Sequence, residues 1–253
     1  MIKEYTKQTI IICFLLQGIA LSSRAQEQQV WQRYYDKCRR EASIIDTLPS
    51  KLEKALHWSP TINKEQKEVI RYILWNMVYV EGGTANLGDN NNYPVDVASF
   101  FINRYEVSQD EWYVIMGENP SNQHRRNYPV DQVNWFNAQR FTKKISQLSG
   151  LPFRLPFEAE WEYAARGGLK TKNFIYAGSN NAEQVAWFRE KYYNTYVSKE
   201  TGTKKPNELG LYDMSGNVYE WCMDWYDRKV PFTGNIAPVI SEKDTHKVLR
   251  GGS

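Results

Sequence analysis

Pro206-Asn207-Glu208-Leu209-Gly210-Leu211-Tyr212-Asp213-Met214-Ser215-Gly216-Asn217-Val218-Tyr219-Glu220-Trp221 is the most informative stretch of this chain. It supplies two carboxylates, Asp213 and Glu220, with Gly216 between them, where the backbone can turn and aim carbonyl oxygens at one point. Hard oxygen donors of this kind suit Ca²⁺, which takes about six to eight oxygens at about 2.3–2.6 Å. An EF-hand does not fit. Asp213, Ser215 and Asn217 fall at its first, third and fifth positions, but Val218 stands where glycine is required and Asp224 closes the loop in place of Glu. A hydrogen-bonded turn without metal is the other reading of the same residues.

Upstream, Arg154-Leu155-Pro156-Phe157-Glu158-Ala159-Glu160-Trp161-Glu162-Tyr163-Ala164-Ala165-Arg166-Gly167-Gly168 reads as a helix with acids in its first turns, where the macrodipole favours them, and a left-handed glycine stop at Gly167. Glu158, Glu160 and Glu162 at i, i+2 spacing point to different faces, which argues against an acid/base pair. Two further helices are signalled. Ser108 and Glu111 form a capping box with Val107 and Trp112 as its staple. A longer helix starts at Asn134, buries Trp135, Ala138, Phe141, Ile145 and Leu148, and stops at Gly150 before Pro152. Met77–Val80 and Phe100–Ile102 read as strands, and after residue 167 the chain is mostly loop.

Residues 26–76 carry apolar residues at helical spacing: Trp31, Tyr34, Tyr35 and Cys38; then Leu48, Leu52, Ala55 and Leu56; then Val69, Ile70, Ile73, Leu74 and Met77. Asn63 and Gln66 suit a capping box for the third of these helices. The stripes are read as contacts with the following domain, and His57 beside Trp58 as a surface or packing residue. Residues 1–25 read as an export signal. Lys3 and Lys7 precede an apolar run of 13 residues from Thr9 to Leu21, and Ser23-Arg24-Ala25 provides the cleavage site. That run is too short to span ~30 Å of hydrocarbon as a helix. Removal of the signal leaves Cys38 and Cys222, predicts no membrane span in the mature chain, and points to a secreted or periplasmic location.

Composition narrows the function classes. With 9 Trp, 17 Tyr and 10 Phe in 253 residues the chain is not a disordered coil, and 15 Gly and 10 Pro are too few for a collagen-like one. A net charge of +3 without a basic stripe gives no ground for a nucleic-acid partner. A mean hydropathy of −0.64 argues against a polytopic membrane protein. His57, His124 and His246 show no zinc spacing with the cysteines, and no nucleophile elbow, P-loop or dinucleotide fingerprint is present.

Several strings occur in one order: Met77-Val78-Tyr79-Val80-Glu81-Gly82-Gly83, Tyr105-Glu106-Val107-Ser108, Tyr128-Pro129-Val130 with Val133-Asn134-Trp135, the 154–168 and 206–221 stretches, and Arg250-Gly251-Gly252-Ser253. Together they resemble the formylglycine-generating enzyme family, the sulfatase-modifying factor domain, over residues 77–253. The resemblance implies an α+β fold of low regular content, a compact variant of the C-type-lectin-like fold, preceded by the helical arm. It implies Ca²⁺ held by the side chains of Asp213 and Glu220 and the carbonyls of Gly216 and Val218. No carboxylate pair matches a second family calcium site between Val185 and Tyr196. Family members commonly have Thr where this chain has Phe157, so the helix cap is expected to be weaker by about 1 kcal/mol unless Phe157 packs.

Active members of the family oxidise a sulfatase cysteine to formylglycine with O₂ and a Cu(I) ion held by two cysteines, which suit that soft ion. Those cysteines follow the Arg-Gly-Gly-Ser string, where this sequence ends. Cys38 and Cys222 match neither position, so Cu(I) is not expected and Cys222 is expected as a buried thiol. The resulting expectation is a non-oxidising or C-terminally incomplete domain that serves as an envelope binding or scaffold module and contacts an envelope protein or glycan. The alternative is a formylglycine-generating oxidase acting on a sulfatase polypeptide, with the cysteine pair supplied by a further segment. Missing terminal strands would leave unpaired sheet edges.

Overall fold

The computed structural model describes residues 8–9, 13–14, 55–88, 93–188, 197–226 and 246–252. The first helical stripe of the arm, with Cys38, and Leu48 and Leu52 of the second lie outside the described residues, as does Ser253.

The first strands are β1 (Gln8–Thr9) and β2 (Cys13–Phe14), followed by helix α1 (Lys64–Trp75). The Asn63–Gln66 capping box forms in both directions, and Ile70, Ile73 and Leu74 are buried. Next come β3 (Met77–Val80), β4 (Gly83–Leu87), β5 (Tyr93–Val97) and β6 (Phe100–Asn103). Helix α2 (Gln109–Met116) starts at the Ser108–Glu111 box. Helix α3 (Trp135–Ser149) runs from its Asn134 cap to Gly150, whose φ of 75° lies in the left-handed region. Trp135 departs from the expected burial: it is half-buried, with its Nε1 donating to the Cys222 carbonyl at 2.9 Å. Strand β7 (Phe153–Arg154), helix α4 (Glu158–Ala165), helix α5 (Ala182–Val185), β8 (Tyr219–Trp225) and β9 (Lys247–Arg250) complete the order. The architecture is mixed α and β with modest regular content, and most of the described residues between 171 and 218 are loop.

Among the described residues three small sheets are formed, in the orders β3-β6-β2-β7, β1-β8-β9 and β4-β5. Two apolar clusters fill the interior. One packs α1, α2 and α3 against β6 and β7 through Ile73, Phe101, Trp112, Phe141 and Phe153, so α1 shares the core of the domain that follows it. Trp112 stacks on Phe141 with ring centroids 5.0 Å apart. The other cluster joins β3 to β6 with α4 and β8 through Val80, Phe100, Trp161, Leu211 and Cys222.

The two N-terminal strands fall within the segment read as an export signal. β2 lies between β6 and β7 and pairs antiparallel with both, with Cys13 opposite Ile102 and Arg154. β1 pairs parallel with the start of β8. A short N-terminal strand therefore partners one edge of β6 and one edge of β7. Among the described residues no helix is long and apolar enough to cross a membrane.

Candidate functional site

The stretch Asp213–Glu220 curls back on itself because its backbone enters the left-handed region three times, at Asp213 (φ 58°), Gly216 (φ 93°) and Asn217 (φ 60°). Gly216 is required twice over. Besides its positive φ, a Cβ there would lie 2.2 Å from the Trp187 carbonyl oxygen. Asn217 tolerates the conformation, and four hydrogen bonds hold it. Its N–H donates to Trp187 O (2.7 Å), its Nδ2 donates to Glu106 Oε2 (2.6 Å) and Lys199 O (3.3 Å), and its Oδ1 accepts from Lys199 N–H (2.9 Å).

Pairing of β8 with β9 sets Glu220 opposite Arg250, which brings Gly251 over the curl. The Gly216 N–H donates to Gly251 O at 3.1 Å. A Cβ on Gly251 would lie 3.0 Å from Val218 O, 3.8 Å from Gly216 O and 3.9 Å from Glu220 Cγ. The two carbonyls and the acid named from sequence thus lie within 4 Å of one point, which a residue larger than glycine at 251 would occupy.

Asp213, Glu220 and Glu106 are buried at 2%, 0% and 1% exposure. One oxygen of each, Asp213 Oδ1, Glu220 Oε1 and Glu106 Oε1, has no hydrogen-bond partner. Their other oxygens are engaged: Gly202 N–H donates to Asp213 Oδ2 (2.7 Å), Trp161 Nε1 to Glu220 Oε2 (2.6 Å) and Asn217 Nδ2 to Glu106 Oε2. Burial pushes Asp213 up to about 6 and Glu220 up to about 8, the latter with a contribution from the Asp213 charge. Glu106 is pushed well above the carboxylate range, first by burial and then by the charges of Asp213 and Glu220.

Buried polar oxygens are normally satisfied, and an orphaned buried carboxylate costs more than a neutral group. A divalent cation at the curl would answer Asp213 Oδ1 and Glu220 Oε1, each without a hydrogen-bond partner. No group of three His, Cys, Asp or Glu side chains among the described residues forms a ready metal cage. The donor set here instead mixes carboxylates with main-chain carbonyls, the chemistry of a hard cation such as Ca²⁺ rather than of a soft transition metal. Asp213, Gly216, Val218 and Glu220 belong to this one arrangement. Glu106, at the end of the β6–α2 connection, is a further buried carboxylate tied to the curl through Asn217, and it was missed in the sequence.

The remaining acids have other duties. Glu160 forms a two-pronged pair with Arg154 (2.6 and 2.8 Å) and accepts from Phe157 N–H. Glu162 pairs with Arg166 and Arg250, and Glu158 pairs with Arg250. Phe157 provides no side-chain cap to α4, but the Arg154 guanidinium lies 4.7 Å from its ring centroid. His57 is an exposed residue bonded to Ala55 and Ser149. Cys222 is a free, fully buried thiol whose burial pushes its pKa well up, the opposite of a reactive thiolate.

Comparison with known proteins follows the same lines. The family model of the Sulfatase-modifying factor enzyme 1-like domain matches residues 64–253. Chaperone protein LppX of Paenibacillus barcinonensis is 35% identical over 204 residues, covering 60% of this chain and 72% of that protein. The formylglycine-generating enzyme of Streptomyces coelicolor is 34% identical over 146 residues, and the match takes in 51% of this chain but only 43% of the enzyme. Among solved structures, Treponema denticola variable protein 1 superposes with a TM-score of 0.51 at 27% identity, over 70% of this chain and 82% of that one.

Proposed function

From the premise that this chain belongs to the sulfatase-modifying factor family, we propose that it is an exported, calcium-braced binding or scaffold module of the cell envelope rather than an oxidase in its own right. Its frame is the compact C-type-lectin-like fold implied by the resemblance. The carrying observation is the Asp213–Glu220 curl, where Asp213 Oδ1 and Glu220 Oε1 are buried without a hydrogen-bond partner and the Gly216 and Val218 carbonyls and Glu220 lie close to one point, which supports a hard cation there. When bound, Ca²⁺ supplies the positive charge that offsets the buried carboxylates. The chain's own residues do the rest: Asn217 ties Glu106 to the curl, Trp161 orients Glu220, and Gly202 orients Asp213.

Export rests on the Lys3 and Lys7 start, the Thr9–Leu21 apolar run and the Ser23-Arg24-Ala25 cleavage site. A binding role is supported by a cleft of about 380 Å³ lined by Phe174, Ile175, Tyr176, Trp161, Arg166 and Arg250. Ile175, which lines it, is 76% exposed, an apolar side chain presented to solvent. The similarity to a protein named as a chaperone favours a polypeptide partner over a glycan.

The second reading is a copper-dependent oxidase that converts a sulfatase cysteine to formylglycine, favoured by the 34% identity to an enzyme of that name. Cys222 is unsuited to hold Cu(I), since it is buried within the second core cluster and kept protonated there. The test is to incubate the purified chain with a Cys-x-Pro-x-Arg peptide, Cu(I) and O₂. The proposed function predicts peptide of unchanged mass. The mass loss of a cysteine-to-aldehyde conversion would establish the oxidase instead.

A further inference from the structure

The gap between β6 and β7 is one strand wide. Both run antiparallel to the strand that fills it, with Phe101 and Phe153 opposite Phe14, and Ile102 and Arg154 opposite Cys13. Main-chain donors and acceptors thus face the gap from two sides, and another stretch of polypeptide presents N–H and C=O groups at the spacing that answers them. The walls are held without that strand. β6 pairs along its whole length, Phe100–Asn103, with Met77–Val80 of β3. The Ser146 hydroxyl of α3 accepts from the Phe153 N–H (2.9 Å) and donates to the Phe153 carbonyl (3.1 Å), which ties β7 to the domain.

The gap also dictates the chemistry of its occupant. All four residues of β6 are buried, and its apolar ones alternate between the two clusters: Phe101 belongs to the first, Phe100 and Ile102 to the second. Apolar packing therefore covers both faces of the sheet at this point. A strand buried on both faces needs apolar residues at successive positions, not the polar and apolar alternation of a strand with one wet face. Every residue from Ile10 to Leu16 is apolar. In residues 26–253 the longest such run is the five residues Trp112–Met116, and it lies in helix α2. A second copy of the exported chain is therefore a poor occupant.

We infer that, once residues 1–25 are removed on export, this gap is a strand-accepting site that takes an extended, uninterrupted apolar segment of another polypeptide into the sheet. The inference rests on the export and binding-module readings given above and names the chemistry of the partner. Main-chain hydrogen bonds to both walls supply affinity, and the apolar cover on both faces supplies selection.

The probe is a fluorescent peptide of residues 8–17 with lysines at both ends for solubility, and binding is read by anisotropy. In the full chain the gap is filled by its own strand at high effective concentration, so the parent is expected to bind the peptide weakly. Proline is not tolerated in a strand paired on both sides. The full chain carrying Cys13→Pro is therefore expected to bind the peptide at least about tenfold more tightly than the parent. The parent cut at a protease site placed after Ala25 is expected to do the same as its 1–25 piece exchanges, a second route that needs no substitution in the strand. Peptides carrying Cys13→Lys or Phe14→Lys are each expected to bind at least about tenfold more weakly, because both faces are covered. Hydrogen exchange is expected to show the amides of β6 and β7 gaining protection as the peptide binds. No binding by either the variant or the cut chain, or protection gained only outside β6 and β7, overturns the strand-accepting site. Tolerance of lysine at one of the two positions overturns the need for an uninterrupted apolar segment. Residues 1–25 still present, by mass, on chain recovered from the envelope of an expressing bacterium overturn the export reading and with it access to the gap, a result independent of peptide binding.

Discussion

Asn217 and Glu106, 111 residues apart in the chain, meet through a 2.6 Å hydrogen bond from Nδ2 to Oε2 in the buried interior. That contact brings the turn before α2 to the Asp213–Glu220 curl and sets a third buried carboxylate beside it. Asn217 can do this because its backbone adopts a positive φ, which turns the side chain inward while its own main chain bonds to Trp187.

The buried acids predict an unusual pH dependence for the metal-free protein. Glu220 rises from its ordinary 4.5 to about 8 and Asp213 from 3.8 to about 6, chiefly through burial. The folded state then binds more protons than the unfolded chain between about pH 4 and 8, so stability falls as pH rises through that window. Chelator-treated protein is expected to melt at a lower temperature at pH 8 than at pH 5.5. The gain on adding Ca²⁺ is expected to be larger at pH 8. Thermal melts at the two pH values, with and without calcium, check both signs.

Glu220→Gln separates charge from shape. The amide oxygen still accepts from Trp161 Nε1, while the buried charge is gone. The variant is expected to melt higher than the parent at pH 8 in chelator and to lose the calcium gain. A lower melting temperature in chelator would contradict the account. Asp213→Ala is expected to leave thermal stability indifferent to calcium and chelator alike.

Two glycines with similar φ distinguish crowding from backbone strain. Gly216→Ala drives a Cβ to 2.2 Å from Trp187 O, whereas Gly210, at φ 81°, has nothing within 4 Å of that position. Gly210→Ala is expected to cost about 1–2 kcal/mol, the left-handed penalty alone. Gly216→Ala should cost at least about 3 kcal/mol, since it adds a backbone clash and distorts the site. Urea unfolding of the two variants tests the ordering.

Helix starts were legible because their signals are local. Asn63 with Gln66, Ser108 with Glu111, and Asn134 with Gly150 each lie within a few residues or one helix length, and each forms as read. The curl was legible from Gly216 flanked by Asp213 and Glu220. Glu106 was not, because its role depends on a fold-back of more than a hundred residues. Its one signal was an acid directly before Val107, a position that the core buries. Arg250 reaching Glu158 and Glu162 was hidden for the same reason. The pairing of Cys13–Phe14 was hidden by a different cause, since an apolar run suits an export signal and a strand of a sheet equally.

Export with removal of residues 1–25 would take β2 from between β6 and β7 and leave both edges without a partner. The 26–253 chain is therefore expected to self-associate and to melt below the full-length chain, because open strand edges pair with other chains. Light scattering and thermal melts of the two lengths decide this. A monomeric 26–253 chain with an undiminished melting temperature would contradict it.

The most direct measurement is calorimetric titration of Ca²⁺ into the chelator-stripped full chain at pH 7 in two buffers of different ionisation heat. The proposed site predicts saturable uptake of Ca²⁺, abolished by Asp213→Ala, with a buffer-dependent heat because protons leave the raised carboxyls as the ion enters. Absence of saturable heat, together with a melting temperature unmoved by chelator, would contradict the claim that a hard cation braces this domain.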